Sequence, residues 1–408
     1  MIVAIAFEAR KSCLAFGATR TASASPTSEN FVKQIYLDYN ATTPIDASVV
    51  EAMMPFFQTH FGNPSSTHSV GRAAREAIED ARAKVSALIG CDRDEVIFTG
   101  GGTEASNMAI KGVMFAGGEP GGHMITTAIE HPATIEPARF VERLGCELTV
   151  VGCDENGVVD PQAIADAIRP DTRLVSVMHA NNEIGTIQPI REIAEICHEK
   201  SVVVHADASQ SIGKIPAFVD QLDVDLMTVA GHKFYAPKGI GVLFVREGLD
   251  IESLLHGAGH EGGLRAGTEN TPYIVGLGRA AFLAASLLDE SSGISATLRD
   301  KFWKTISSNV PRAVAHGMQA ERLPNTLSIA FPNVSGAEML SRVPEVCASL
   351  GAACHSSGEH RSGTLHAMGV DQDLMRGTIR FSFGRSSNAE EAERAAMLMV
   401  DAWETLKS

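Results

Sequence analysis

The chain has few cysteines, few basic residues and no long apolar run, and each shortage excludes a class of protein. Its 408 residues include seven scattered cysteines without a Cys-x-x-Cys pair, which excludes a disulfide framework and a zinc site and indicates a reducing compartment. Lys and Arg number 34 against 49 Asp and Glu, a formal net charge of −15, which argues against a nucleic-acid surface. No stretch stays apolar over the about 20 residues that a membrane span needs. We therefore expect a cytoplasmic protein that binds no nucleic acid, membrane or metal.

The N-terminus differs in composition from the rest of the chain. Ala, Ser and Thr dominate residues 1–34, which predicts an extension without stable structure; an organelle transit peptide is the alternative reading. The remaining length exceeds that of a usual single domain. We predict a large domain over residues 35–290 and a smaller one over 291–408, with the segment 36–43 packing beside the smaller domain.

Short apolar runs alternate with helical patterns between about residues 47 and 288. The runs that read as buried strands are 96–98, 124–127, 174–178, 202–204, 226–229 and 242–245. The helical patterns lie at 72–89, 134–144, 160–168, 190–200 and 271–288. Such alternation predicts an α/β fold with a mainly parallel central sheet and helices on both faces. Later helices and the shorter strands 326–331 and 378–382 predict that the C-terminal domain is α+β.

Two polar residues that follow neighbouring strands predict a cofactor site. Lys233 follows the run 226–229 in a turn rich in Gly and Pro, and Asp207 follows the run 202–204. A lysine can bind an aldehyde cofactor covalently, and an acid can hold a pyridinium nitrogen. The pair therefore predicts a pyridoxal phosphate (PLP) site at the carboxyl ends of the strands, where ligands of such sheets bind. We expect Lys238 to be the only nearby substitute for Lys233.

A glycine loop adds a candidate phosphate site. The strand at 96–98 leads through three glycines, ending at Gly102, into Thr103 and a helical pattern. Backbone N–H groups at a helix N-terminus bind anions, although such a loop alone is more often only a turn. With Lys233 and Asp207 it predicts a phosphate site to which Thr103 adds a hydroxyl.

Eight motifs in a fixed order carry a family resemblance. They are YLDYNATTP (36–44), FGNPSS (61–66), EH (130–131), NNEIG (181–185), GHK (231–233), RAGTEN (265–270), GAAC (351–354) and IRFSFGR (379–385). With them the chain resembles the cysteine desulfurase family, PLP enzymes of the class V aminotransferase group. It is most similar to the branch with a long cysteine loop, which also includes the selenocysteine lyases.

The resemblance implies a role for each matching cofactor residue. His131 would lie over the PLP ring and exchange protons, as suits a side chain that titrates near neutrality. Gln210 would bond the phenolic oxygen of the ring. His232 and Thr268 would complete the phosphate site, with Thr268 reaching in from the second subunit of a homodimer. Ala230 departs from the family, since many members have Ser there, and one phosphate hydrogen bond worth about 1 kcal/mol is in doubt.

The resemblance also implies the substrate residues. Asn182, Arg380 and Asn40 would bind the substrate, with the Arg380 guanidinium on its carboxylate. Arg385 competes for that role, and a structural salt bridge is its more ordinary use.

Cys354 is the candidate nucleophile. It lies in a small, polar, Gly-containing loop where a thiol is exposed, whereas the other six cysteines lie mostly in apolar or helical contexts. The long segment between Cys354 and Arg380 resembles the branch that carries sulfur to acceptor proteins. The neighbouring His355 and His360 are expected to be solvated.

These observations predict a PLP-dependent enzyme that converts L-cysteine to L-alanine. Sulfur would pass as a persulfide on Cys354 to an acceptor such as an iron–sulfur scaffold protein. A selenocysteine lyase, acting on L-selenocysteine, is the first alternative: residues 322–326 and 351–356 and the non-serine Ala230 favour it, whereas Pro132 stands where the lyases are expected to have an acid. A non-catalytic PLP-binding scaffold is the second.

Overall fold

A seven-stranded sheet lies at the centre of the computed structural model, which describes residues 34–350 and 362–407. The strands of the described chain are β1 Ile35–Tyr36, β2 Val96–Thr99, β3 His123–Thr127, β4 Glu147–Val151, β5 Thr172–Met178, β6 Val203–Asp207, β7 Leu226–Ala230, β8 Gly241–Val245, β9 Val314–Ala315, β10 Thr326–Ala330, β11 Val346–Cys347 and β12 Thr378–Ser382. The predicted strands are therefore present within three residues of their expected bounds.

The large sheet is mainly parallel, as predicted. Its order is β2-β8-β7-β6-β5-β3-β4, and only β8 runs against its neighbours. The sequence pattern did not indicate β4, which pairs only with β3 at the edge of the sheet. Exposed Glu147 and half-buried Leu148 give β4 no continuous apolar run, so its signal is weak.

Helices cover both faces of the large sheet. The helices of the described chain are α1 Ala47–Gln58, α2 Ser69–Ile89, α3 Gly102–Phe115, α4 Pro132–Arg143, α5 Pro161–Ala167, α6 Ile190–His198, α7 Val219–Leu222, α8 Thr271–Ser286, α9 Leu288–Asn309, α10 Gly336–Arg342, α11 Gly363–Ala367, α12 Gln372–Arg376 and α13 Ala389–Leu406. Short 3₁₀ turns lie at Arg93–Glu95, Gly231–Lys233 and Glu261–Gly263.

Alternate strand residues point into two separate cores, as the period of a strand requires. Val175 and Met227 pack with apolar residues of α2, α6 and α8. Their neighbours Leu174 and Leu226 pack on the other face with residues of α3 and α4. The α/β arrangement with two helical layers is therefore confirmed.

A third core lies around the antiparallel sheet β12-β10-β9. Phe302 of α9 packs against Phe381 of β12, with ring centroids 4.7 Å apart. Strand β1 pairs in parallel with β11 in this region. Since the chain from Gln34 onward forms one compact unit, the predicted boundary at residue 290 stays a prediction.

The helix predicted at 271–288 ends at Ser286, and α9 continues after a bend of 72°. Within residues 34–350 and 362–407, no single helix is long and apolar enough to cross a membrane, and only this bent pair taken together passes that test.

Candidate active site

One cavity at the carboxyl end of the large sheet is lined by eight of the predicted site residues. It encloses about 780 Å³ including its open mouth, a size typical of small-molecule sites. We call it the strand-end cavity. The predicted residues that line it are Gly102, Thr103, His131, Asn182, Asp207, Gln210, His232 and Lys233.

Strand direction explains this convergence. Parallel strands end at one edge of a sheet, and Asp207 is the last residue of β6. Strand β7 ends at Ala230 and leads directly into the turn Gly231–Lys233. His131 follows β3 as the residue that caps α4, and Asn182 follows β5. Residues far apart in the chain therefore meet because each follows a buried strand.

Glycine brings the start of α3 close to the end of β7. An added Cβ on Gly102 would lie 3.0 Å from the Ala230 Cβ and 3.3 Å from the Ser209 Oγ. Gly101 has a φ of 143° and a ψ of 176°. This combination is essentially restricted to glycine. The free N–H groups of the helix N-terminus thereby lie at the cavity, beside Thr103.

Lys233 is hydrogen-bonded to the segment that precedes α1. Its Nζ donates to the backbone carbonyls of Asn40 at 2.6 Å and Ala41 at 2.9 Å. The Gln210 Nε2 donates to the same Asn40 carbonyl at 3.0 Å. Asn40 itself is 1% exposed and bonds Thr326 Oγ1 and the Asn182 carbonyl. It lies behind Lys233 rather than on the cavity wall, and its contact with substrate stays a prediction.

The two histidines of the cavity are neutral near pH 7. The His131 Nδ1 accepts from the Ala133 N–H at 3.0 Å, so the neutral ring carries its proton on Nε2. Burial lowers the pKa of His131, and the charges of Lys233 and Arg380 lower it further. Burial and then Lys233 lower the pKa of His232 to about 4. The His232 Nδ1 lies 3.1 Å from Thr42 Oγ1.

Asp207 has its carboxylate at the cavity and its neighbours in the core. The residue is 5% exposed, and its Oδ1 accepts from the Ser209 N–H at 2.9 Å. Two residues earlier on the same strand, His205 is fully buried between Ser176 and Thr228. Asp207 is thus the point at which β6 passes from the protein core to the cavity.

Arg380 touches the cavity through Asn182. Its Nη1 donates to the Asn182 carbonyl at 2.9 Å, and its Nη2 donates to Asp38 Oδ1 at 2.8 Å. Its buried Nε has no partner among the described residues, and Nη1 and Nη2 each carry a second N–H. Arg385 instead stacks 4.1 Å from the Tyr235 ring and lies 3.7 Å from Asp46, an arrangement that fits a structural role.

Cys354 lies outside the described residues, as do His355 and His360. The described residues on either side of this segment contact Arg380 and the two neighbours of Asn182 in the chain. Ser349 exchanges two backbone hydrogen bonds with Arg380, at 2.7 and 3.2 Å. On the other side, the Ser362 hydroxyl donates to Glu183 Oε2, and Asn181 Nδ2 donates to Thr364 Oγ1 at 3.1 Å.

Thr268 does not line the strand-end cavity of its own chain. It is exposed and lies beside a separate cleft with Phe61 and Asn270. Its predicted contact with the phosphate of a second subunit stays a prediction.

Two buried ionisable residues near the cavity were not indicated by the sequence. The Lys214 Nζ donates to Gln210 Oε1 at 2.6 Å and to Asn40 Oδ1 at 3.3 Å. The expectation that Lys238 is the only nearby substitute for Lys233 is therefore wrong, because Lys214 also lies nearby: Lys214 and Lys233 both contact Asn40. In the sequence, the one signal for a lysine near the cavity was the position of Lys214, four residues after Gln210 in a loop that follows a buried strand.

Glu130 is the second such residue. Its Oε1 accepts from Thr127 Oγ1 at 2.7 Å and from the Met178 N–H at 2.9 Å, while its buried Oε2 has no partner among the described residues. Burial raises the pKa of Glu130 to about 8, so the carboxyl is mainly protonated at pH 7. Its position directly before His131 was the available signal.

Known proteins share both the sequence and the fold. The model of the aminotransferase class-V family matches residues 35–395. The cysteine desulfurase IscS of Dictyoglomus turgidum is 45% identical over 361 residues, which cover 88% of this chain and 92% of that protein. A solved NifS-like protein superposes with a TM-score of 0.85 at 36% identity, covering 91% of this chain and all of that one.

A further solved structure, described as SspA in complex with cysteine, has a TM-score of 0.78 at 35% identity and covers 86% of this chain and 98% of its own. Matches of this identity and extent, from the first strand to α13, establish the family. The chain belongs to the aminotransferase class-V family, and within it to the cysteine desulfurases.

Proposed function

We propose that this cysteine desulfurase holds PLP through Lys233, converts L-cysteine to L-alanine and transfers the sulfur through Cys354 to an acceptor protein. The observation that carries the proposal is the convergence of Lys233, Asp207 and His131, from three strand ends, on the strand-end cavity. A covalent anchor, a partner for a ring nitrogen and a proton-exchanging group are the three functions that PLP chemistry requires of a protein.

PLP is the cofactor of this family, and the residues of the cavity fit it. Lys233 would bind the aldehyde and Asp207 the ring nitrogen. The N–H groups at the start of α3, with Thr103 and His232, would hold the phosphate. Ala230 offers no hydroxyl, but Ser209 lines the cavity beside Gly102 and supplies one close by. When bound, the cofactor accepts the electron pair that Cα keeps on losing its proton.

The protein side chains supply the proton transfers. Once the substrate amine has displaced it from the cofactor aldehyde, the free Lys233 Nζ would take the Cα proton of the substrate as a general base. His131 is neutral and keeps its hydrogen on Nε2, so it can donate a hydrogen bond at the cavity. Its lowered pKa keeps it from carrying a permanent positive charge next to Lys233.

Asn182 and Arg380 would orient the substrate by its carboxylate. The Arg380 Nε is buried and unpartnered, while its other two nitrogens are fixed by Asn182 and Asp38. A carboxylate at Nε would therefore meet a donor that is already oriented. Cysteine is present in the solved structure of the SspA relative, which supports an amino-acid substrate of this size.

Cys354 would take the sulfur by nucleophilic attack. Its thiolate attacks the substrate sulfur, an S–S bond forms and the Cβ–S bond breaks, and the electron pair returns to the carbon that becomes the alanine methyl group. The resulting persulfide passes its outer sulfur to a thiol of the acceptor. A net charge of −15 favours an acceptor with a neutral or basic surface. The free cysteines of the described chain fit a reducing compartment.

Turnover of L-cysteine and L-selenocysteine by wild-type protein and by Cys354→Ala tests the proposal. We expect alanine from cysteine in the wild type and none from cysteine in Cys354→Ala, because the sulfur then has no nucleophile. Selenium leaves carbon more readily, so some selenocysteine cleavage should remain. Cys347→Ala, in β11, is the matched control and should keep wild-type activity on cysteine. A wild type that cleaves selenocysteine well and cysteine barely would replace the proposal by a selenocysteine lyase.

An exposed apolar stripe supports the homodimer. Val50, Met54 and Phe57 lie on one side of α1, and Phe61 follows them at 74% exposure, in the cleft that Thr268 also lines. Apolar stripes of this kind mark interfaces. A second copy of the chain there would bury the stripe and bring Thr268 of one subunit to the phosphate site of the other.

Sedimentation tests the homodimer. Phe61→Asp should shift the wild-type dimer toward monomer and weaken PLP binding, whereas Val314→Asp, at an exposed apolar position on the small sheet, should do neither. A fully active wild-type monomer would contradict the homodimer and the role of Thr268 together.

A further inference from the structure

Lys214 places a second buried amine beside Lys233. The side chain is only partly exposed, and both of its acceptors, Gln210 Oε1 and Asn40 Oδ1, are neutral amide oxygens. Burial, followed by the charges of Lys233 and Arg380, lowers the pKa of Lys214 well below its ordinary value. Burying an amine in this way costs free energy, so its position next to the cofactor site calls for a role.

The hydrogen bonds of Lys214 decide which way the Gln210 amide faces. Lys214 donates at 2.6 Å to one end of this amide, and that end must be the oxygen. At the other end, the Asn40 backbone carbonyl can only accept, so that end must be the NH₂ group. An amide has two such hydrogens, and only one is used on Asn40. The other remains for the strand-end cavity, which Gln210 lines.

We propose that Lys214 is a positioning residue that fixes the Gln210 amide as an N–H donor toward the phenolic oxygen of PLP. The inference rests on the proposed function, since it needs the cofactor in the strand-end cavity. Lys214 touches neither the cavity nor the reacting atoms, and it acts only through Gln210.

The effect of losing Lys214 should fall on Gln210 rather than on Asn40. Asn40 Oδ1 has a second donor, the Asn325 Nδ2 at 3.0 Å, and the Asn40 backbone carbonyl keeps Lys233. The Gln210 oxygen depends on Lys214. Without that bond only the Asn40 carbonyl holds the amide, so the amide can tilt and its second N–H would no longer be fixed toward the phenolic oxygen.

A double-mutant cycle on the dissociation constant of PLP tests the inference. Lys214→Met and Gln210→Ala should each weaken PLP binding about 5- to 10-fold, the equivalent of one hydrogen bond. The double variant should bind no more weakly than Gln210→Ala, because the two residues act as one unit. Lys200→Met, at an exposed lysine in the turn between α6 and β6, is the control and should bind like the wild type. Single-variant factors that multiply in the double variant would overturn the proposal.

The pH dependence of the visible cofactor absorbance gives a second readout. Loss of an N–H donor to the phenolic oxygen should move the midpoint upward by the same amount in Lys214→Met, in Gln210→Ala and in the double variant. Lys214→Arg retains a donor and should restore the wild-type midpoint. If Lys214 served only the fold, the melting temperature of the apo-protein would fall while the midpoint stayed in place, and that result would overturn the proposal.

These outcomes separate the inference from the proposed function. A wild type without any Lys233-dependent visible absorbance would refute the PLP site itself. A wild type with that absorbance, combined with independent effects of Lys214 and Gln210, would refute the positioning role alone.

Discussion

Two polar clusters lie near the end of β6, a lower one in the core around His205 and an upper one at the strand-end cavity around Lys233. Their hydrogen bonding differs. In the lower cluster, both ring nitrogens of His205 are bonded, to Ser176 Oγ at 2.8 Å and Thr228 Oγ1 at 2.9 Å, and Ser106 donates to Thr228 at 3.1 Å. In the upper cluster, Lys233 and Gln210 are fixed from behind by Asn40, and both face the cavity. We call these the closed cluster and the open cluster.

The comparison shows how the same residue types serve structure or chemistry. A buried polar group must be satisfied inside the protein, and the closed cluster satisfies each member at once. The members of the open cluster instead line a cavity that can hold a ligand. Substitutions in the open cluster should therefore remove activity at little cost in stability, and substitutions in the closed cluster should do the reverse.

The largest expected effect is that of Lys233→Ala. We expect cysteine turnover to fall at least about 1,000-fold and the borohydride-reducible cofactor adduct to disappear, since the covalent anchor and base are lost. The melting temperature should change by only a few degrees. Lys238→Ala, an exposed lysine five residues on, serves as the control with normal turnover. A reducible adduct that persists in Lys233→Ala would instead identify Lys214 as the anchor.

Acid should destabilise the protein strongly. Burial lowers the pKa of His179, His205 and His316 to about 4, below the 6.5 of an unfolded chain. The unfolded state then binds more protons than the folded state between these values, so the stability that the neutral rings contribute is present above pH 6.5 and is lost as the pH falls toward 4. The free energy of unfolding, measured by denaturant titration, should fall by several kcal/mol between pH 6.5 and pH 4. A free energy of unfolding that stays flat from pH 6.5 to 4 would contradict the burial of these rings.

His205→Ala tests the closed cluster. Loss of two hydrogen bonds and a buried ring should cost about 3 kcal/mol of stability, measured by chemical denaturation. Turnover per folded molecule, assayed well below the melting temperature, should stay within about 3-fold of the wild type if the cluster serves only the fold. His256→Ala, at a 74% exposed side chain, is the control for both. A turnover loss as large as that of His131→Ala would show that the closed cluster also takes part in the chemistry.

Glu130→Gln should have the smallest effect and the opposite sign. The folded pKa of Glu130 is raised to about 8, so its neutral form stabilises the fold at low pH, and this contribution is lost as the pH rises toward 8. A neutral amide avoids that loss, so the variant should be more stable than the wild type above pH 8 and match it near pH 5. Thermal unfolding at the two pH values measures the difference. Equal stabilities at both would show that the carboxyl finds a partner when it ionises.

Much of the fold and part of the site could be predicted from the sequence. Six buried strands were predicted because each is a short apolar run between polar turns, and the edge strand β4 was missed because it lacks such a run. Asp207 and Lys233 could be placed at one cavity because each follows one of these strands. The order of the strands and the antiparallel direction of β8 were not written in any local pattern.

By itself, the sequence determined the α/β class, the family and the residues that a cofactor would meet first, since apolar periodicity and strand-end motifs are local properties of the chain. Only the tertiary structure decided that Asn40 lies behind Lys233, that Lys214 orients Gln210 and that Glu130 is buried without a charge partner. These facts depend on how the segment before α1 packs against a loop 170 or more residues away. Such packing follows from the shape of the whole core and from the requirement that buried polar groups be satisfied, and no local pattern encodes it.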